Sequence, residues 1–347
     1  MVKAIPPLDE RARAKALARQ LILTKPTGAL GRLETLSTDL AAMQATANPS
    51  CERVTVLIFA GDHGVAAQGV SAYPQAVTAQ MCLNFCRGGA AVNVLARQAG
   101  ATVMVIDVGV CETLPPSDGL VRAKVASGTA DFTTAPAMTQ EQCAQAMQVG
   151  ATQVKVAIDR DAQVVVLGEM GIANTTSASA LLAAYTGLPV ATCVGRGTGI
   201  NEEALARKQQ VVQAGLTLHQ KSFNDAKGVL AALGGLEIAA MVGCIIAAAQ
   251  NRVPVLVDGF IASAAALSAI QIEPAVKNYL IWAHRSAEGP HAALLDYVQV
   301  KPLLDLGMRL GEGSGGVLAI HFLRAACRTL NDMATFTDAG VTDKATP

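Results

Sequence analysis

Residues 163–177, QVVVLGEMGIANTTS, decide the architecture. A β-branched run ends in a glycine-rich turn carrying one acid, Glu169, and the polar cluster from Asn174 then opens a stretch with helical periodicity. This strand, turn and helix recur outward along the chain. Runs at 54–60, 102–108, 253–258 and 279–283 read, like 163–168, as buried strands, while Ala-rich stretches at 75–98, 139–158, 175–185 and 202–220 read as helices. The alternation predicts an α/β protein: a mostly parallel sheet covered by helices on both faces, with ligands outside the carboxyl ends of the strands. Residues 9–44 and 302–333 read instead as helices without strands, 111–118 as a surface loop, and the last ten residues as a mobile tail.

Composition narrows the partners to small molecules. Lys plus Arg and Asp plus Glu number 27 each among 347 residues, so no whole-chain field attracts nucleic acid or an anionic membrane. Aromatic residues make up 3%, too few for base-stacking platforms. Polar residues interrupt the uncharged stretch at 170–195, and the apolar run after Glu237 stops at Arg252, which argues against a membrane span. The charged N-terminal residues lack the apolar core of a signal peptide, so a cytoplasmic location is expected. Eight cysteines occur without a CxxC pair and five histidines without HExxH spacing, so neither a metal nor a cofactor is expected.

Three glycine-rich turns carry the candidate chemistry. In the first, Gly171 and the Asn174, Thr175, Thr176 cluster stand where a helix N-terminus can receive an anion, although the same cluster also reads as an N-cap. Glu169 there needs a partner to offset its desolvation. The second turn, with Gly195, Gly197 and Gly199, resembles a phosphate cradle. Lys208, two turns further on, either folds back toward a phosphate or is a solvated surface lysine, the simpler reading of the residue alone. In the third turn, RLGEGSG at 309–315, Glu312 stands alone among glycines, as expected if a flat ligand approaches it closely and it acts as a base. Asp62 and His63 read as a hydrogen-bonded loop at the crevice. Asp258 fits either a ribose contact or the orienting of a neighbouring loop, and HRSAE at 284–288 has no assigned role.

Taken together, GDHGV at 61–65, GEMGIANTT at 168–176, VDGF at 257–260, HRSAE at 284–288 and RLGEGSG at 309–315 resemble the nicotinate-nucleotide:dimethylbenzimidazole phosphoribosyltransferases. The resemblance spans nearly the whole chain, beginning at KPTGALGRLE, 25–34. It implies a homodimer whose subunit pairs a Rossmann-like domain, 49–294, with a small helical domain from both chain ends, 1–48 and 295–347. It also implies transfer of the phosphoribosyl group of nicotinate mononucleotide to 5,6-dimethylbenzimidazole for the lower ligand of cobalamin. By motif, Glu312 is then the catalytic base, Glu169 a second catalytic glutamate, Lys208 the phosphate-side lysine and Asp258 a further acid. Tyr73 and Met81 border the base. Rival readings are transfer to adenine or a phenol, a non-catalytic benzimidazole carrier, and a dehydrogenase. The last lacks GxGxxG after its first strand and an acid about 20 residues beyond.

Overall fold

The structure, a computed structural model, describes residues 3–197 and 199–342. Six strands form one sheet: β1 (Val54–Gly61), β2 (Thr102–Gly109), β3 (Leu120–Arg122), β4 (Val164–Met170), β5 (Val255–Val257) and β6 (Leu280–Trp282). Their order is β3-β2-β1-β4-β5-β6 and every pairing is parallel. β1 is buried along its whole length because neighbours flank it on both sides, Leu57 standing in register with Met104 and with Leu167. Such a strand reads as a continuous apolar run rather than an alternating one.

The chain leaves β1 in one direction and returns beside it at β4. Right-handed crossovers therefore put the helices of the two halves on opposite faces, and a crevice opens where β1 and β4 end. Two of the covering helices, Gln140–Asp159 and Leu236–Gln250, meet so closely that a Cβ on Gly150 would lie 1.7 Å from the Ala240 carbonyl oxygen. That approach accounts for glycine inside a helix, where its backbone freedom otherwise costs stability.

Several expectations need correction. The single helix read at 75–98 is two, Val77–Cys86 and Ala91–Ala99, broken where Gly88 takes a positive φ of 75°. β3, a partly exposed three-residue strand, escaped the sequence reading. β4 continues through Gly168 and Glu169, so the first glycine turn starts later than its composition suggests. Of 302–333, only Ser314–Asp332 forms the long helix. It packs with Glu10–Ile22 and Arg32–Gln44 around Ala16, Ala41 and Leu330, and Arg19 Nε donates to the Leu330 carbonyl at 2.6 Å. Within the expected tail, Asp338 and Ala339 belong to the helical turn Phe336–Ala339, and residues 343–347 lie outside the described residues. No described helix is long and apolar enough to cross a membrane.

Candidate active site

A cavity of about 540 Å³ opens at the carboxyl edge of β4, β5 and β6. The end of β4 brings Glu169, Gly171, Asn174 and Thr175 to it, the end of β5 brings Asp258, and the 309–312 segment brings Glu312. Tyr73 and Met81 line it from the segment following β1, and Gly197 from the second glycine turn. Thr176, Gly195, Gly199 and Lys208 are not among its lining residues. Thr198 lies outside the described residues.

Of the helices that begin at or beside the cavity, two follow a left-handed residue. Ala173 (φ 76°) precedes Asn174–Thr186 and Gly313 (φ 91°) precedes Ser314–Asp332, and neither helix has a side-chain cap. The N-cap reading of the Asn/Thr/Thr cluster therefore fails. Asn174 Nδ2 instead donates to Glu169 Oε2 at 2.5 Å, supplying the partner that a buried carboxyl requires. Gly311, Glu312 and Gly313 all have positive φ, 82°, 66° and 91°. For Glu312 this conformation costs about 1–2 kcal/mol, strain of a kind that clusters at functional sites.

The glycines around Glu312 have another cause than the flat ligand expected from the sequence. A Cβ on Gly311 would lie 2.4 Å from Glu169 Oε1, one on Gly315 2.0 Å from His284 Cδ2, and one on Gly316 2.5 Å from Val166 Cγ1. Protein atoms thus occupy the space, pressing the turn against β4 and β6. Asp258 fastens it, accepting the Gly313 N–H at 3.2 Å and the Gly316 N–H at 2.8 Å while His284 Nε2 stands 3.5 Å away. Its observed contacts are with the neighbouring loop, although its side chain also borders the cavity.

Burial governs the protonation states. The Glu312 side chain is buried, and among the described residues its Oε2 has no hydrogen-bond partner. Desolvation and the nearby Asp258 charge push its pKa up to about 7, with the Val92 amide pulling the other way. Desolvation, then Asp258, pushes Glu169 up to about 8, against the stabilising bond from Asn174. Lys208 corrects the surface reading: it is 1% exposed, and its Nζ donates to Thr175 Oγ1 at 2.7 Å. Burial lowers it to about 8 while Glu288 supports its charge. Asp62 and His63 are hydrogen-bonded as read: Asp62 accepts the Cys111 N–H at 2.7 Å and His63 pairs with Glu237 at 2.7 Å.

The sequence reading missed Phe260, Ser286, Glu288 and Arg309, all of which line the cavity. The motifs containing them are visible in the sequence, but nothing there chooses among their residues.

A family model described as phosphoribosyltransferase matches residues 5–341. The nicotinate-nucleotide–dimethylbenzimidazole phosphoribosyltransferase of Chloroflexus aggregans is 53% identical over 343 residues, 99% of this chain and 97% of that protein. The protein of the same name from Azotobacter vinelandii is 50% identical over 343 residues, again 99% and 97%. A crystal structure of the Thermus thermophilus protein of that name aligns with a TM-score of 0.92 at 44% identity, covering 97% of this chain and 100% of the other.

Proposed function

The chain belongs to the nicotinate-nucleotide–dimethylbenzimidazole phosphoribosyltransferase family, and from that premise we propose that Glu312 is the general base of the transfer. The reaction moves the 5-phosphoribosyl group of nicotinate mononucleotide to 5,6-dimethylbenzimidazole, giving α-ribazole 5′-phosphate and nicotinate. This step builds the lower ligand of cobalamin. One observation carries the role of Glu312: a buried carboxyl on the cavity wall, with Oε2 unpaired and the backbone held in a left-handed turn.

In this mechanism Glu312 takes the benzimidazole N–H proton while the other ring nitrogen attacks the anomeric carbon. Nicotinate leaves as a pyridine nitrogen that began positively charged, so its departure neutralises charge and requires no strong acid. Attack on the face opposite the leaving group inverts the β-nucleotide to an α-ribotide. Thr175, Lys208 and the Gly195 to Gly199 turn hold the phosphate, aided by the helix N-terminus at Asn174 and Thr176, and fix the anomeric carbon in line. Glu169 and Gly171 border the ribose, Asp258 keeps the Glu312 turn in place, and Tyr73 and Met81 flank the base. The chain works as a cytoplasmic homodimer, with 1–48 and 295–347 as its helical domain and 49–294 as its α/β domain.

The pH dependence of kcat/KM tests the assignment. Glu312 accepts a proton only above about 7, while Glu169 and Lys208 lose theirs near 8, so the profile should be a narrow bell. A rate that stays flat from pH 5 to pH 7 would remove Glu312 as the base.

A further inference from the structure

We propose that Glu288 is a positioning residue for the ribose-phosphate end of the site, tying the Gly195 to Gly197 turn to the segment after β6 and holding the counter-charge of Lys208. This rests on the reading that Lys208, Thr175 and that turn receive the phosphate.

The geometry is specific. Glu288 Oε1 accepts the Gly197 N–H at 2.8 Å, and its side chain is buried although both residues line the cavity. A Cβ on Gly195 would lie 2.0 Å from the same oxygen, so residue 195 must lack a side chain for the carboxylate to reach the turn. Gly197, at φ 53°, is packed so that a Cβ there would come 3.0 Å from Thr175 Oγ1 and 3.4 Å from Lys208 Nζ. One carboxylate thus accepts from the turn whose Gly197 lies close to both phosphate-side residues. Glu288 is itself oriented locally: its N–H donates to Ser286 Oγ at 3.2 Å, and the Ser286 N–H donates to His291 Nδ1 at 2.9 Å.

Few charged groups face this corner. Lys208 approaches from the helix Glu202–His219, and Arg309 reaches it from the Glu312 turn, its Nη1 donating to the Gly197 carbonyl at 3.3 Å. Arg196 is exposed and paired with Glu202. His291, pushed down to about 3 by burial and by His284, stays neutral.

Simple repulsion and positioning predict opposite signs. A carboxylate near a phosphate site disfavours an anion, so if repulsion dominated, its removal would tighten nicotinate mononucleotide binding. If Glu288 instead holds the turn and keeps Lys208 protonated, its neutralisation weakens binding, and more so as pH rises and Lys208 loses its proton.

The test is steady-state kinetics of Glu288→Gln, Lys208→Met and the double variant at pH 6.5 and 8.5, with both substrates varied. Glu288→Gln should raise KM for nicotinate mononucleotide about tenfold at pH 8.5 and less at pH 6.5, with kcat and KM for dimethylbenzimidazole within about twofold. In the Lys208→Met background the excess at pH 8.5 should disappear while the part that comes from the turn remains, because only the excess acts through the lysine's charge. An unchanged or lowered KM, or an excess at pH 8.5 that survives in the double variant, overturns the proposal. Should Glu288→Gln melt early and lose kcat and both KM values together, Glu288→Asp decides: it retains the charge and must recover part of the nucleotide KM alone, or the role is only structural. If Lys208→Met itself leaves the nucleotide KM unchanged, the phosphate reading fails first.

Discussion

Glu237 and Glu312 both stand within two residues of glycines at the start of a buried helix, the first one residue removed from Gly234-Gly235, the second between Gly311 and Gly313. Among the described residues each leaves Oε2 without a hydrogen bond, so an orphan oxygen does not tell them apart. The difference lies in their other contacts. Glu237 is 0% exposed, and its Oε1 meets His63 Nε2 at 2.7 Å, while His63 Nδ1 meets Ser177 Oγ at 3.0 Å. The flanking glycine serves this pair, since a Cβ on Gly235 would lie 2.3 Å from His63 Cε1. Among the described residues Glu312 has no side-chain partner of this kind, and it lines the cavity. An acid near glycines at a helix start therefore marks no single role. What separates them is that a protein side chain meets Glu237, whereas Glu312 faces the cavity.

Exchanging each acid tests that distinction, and the larger effect is expected at Glu312. Glu312→Gln should lower kcat by about 10²–10⁴-fold, the usual worth of a positioned general base. Its melting temperature should hold or rise, because a raised pKa means that the folded state pays for ionisation above about 7. A variant that loses activity only in proportion to its folded fraction would erase the contrast with Glu237.

Glu237→Ala should show the opposite pattern. Removing one partner of a buried hydrogen-bonded pair leaves the other unsatisfied at a cost of about 1–3 kcal/mol, visible as a lower urea midpoint, while kcat per folded molecule falls far less than in Glu312→Gln. If stability barely changes, the His63 network is not the tie between β1, the Asn174 helix and the Leu236 helix that its hydrogen bonds describe.

These two regions also show how far the sequence can be read. β1, β2 and β4 are legible because central parallel strands need uninterrupted apolar runs, and Glu312 is legible because an acid between glycines is conspicuous. The reason for those glycines was not, since His284 and Val166 reach them only in three dimensions. Glu237 sits in an apolar helix with its partner 174 positions earlier, and Glu288 finds the Gly197 amide 91 positions away. Lys208 reads as a surface lysine until Thr175, 33 positions earlier, folds over it. Periodicity shows which face of an element is buried; it does not show which distant side chain closes over that face.

Glu169 lies between the two extremes, with one good hydrogen bond and a cavity-facing position. Its folded pKa is raised from 4.5 to about 8, so the native state binds its proton more tightly than the unfolded chain does. That contribution is fully present below 4.5 and is lost as pH rises through about 8. Glu169→Gln has no such dependence, so its melting temperature relative to the wild type should climb across that window and level off above it. A constant difference from pH 5 to pH 9 would show that Glu169 is already ionised at neutral pH and belongs with the satisfied acids.

The smallest effect is expected at Tyr73, and it serves as the control for the other three. Its side chain is 52% exposed and borders the same cavity as Glu312, so it offers a face to a flat ring without contributing much to the core. Edge or offset aromatic contacts are worth about 0.5–1.5 kcal/mol, which converts to roughly two- to tenfold in affinity. Tyr73→Ala should therefore raise KM for dimethylbenzimidazole by that factor and leave KM for nicotinate mononucleotide, kcat and the melting temperature unchanged. A change in kcat comparable to that of Glu312→Gln would mean that base placement, rather than proton removal, limits the reaction, and the unpaired carboxylate would lose its claim to the chemical step.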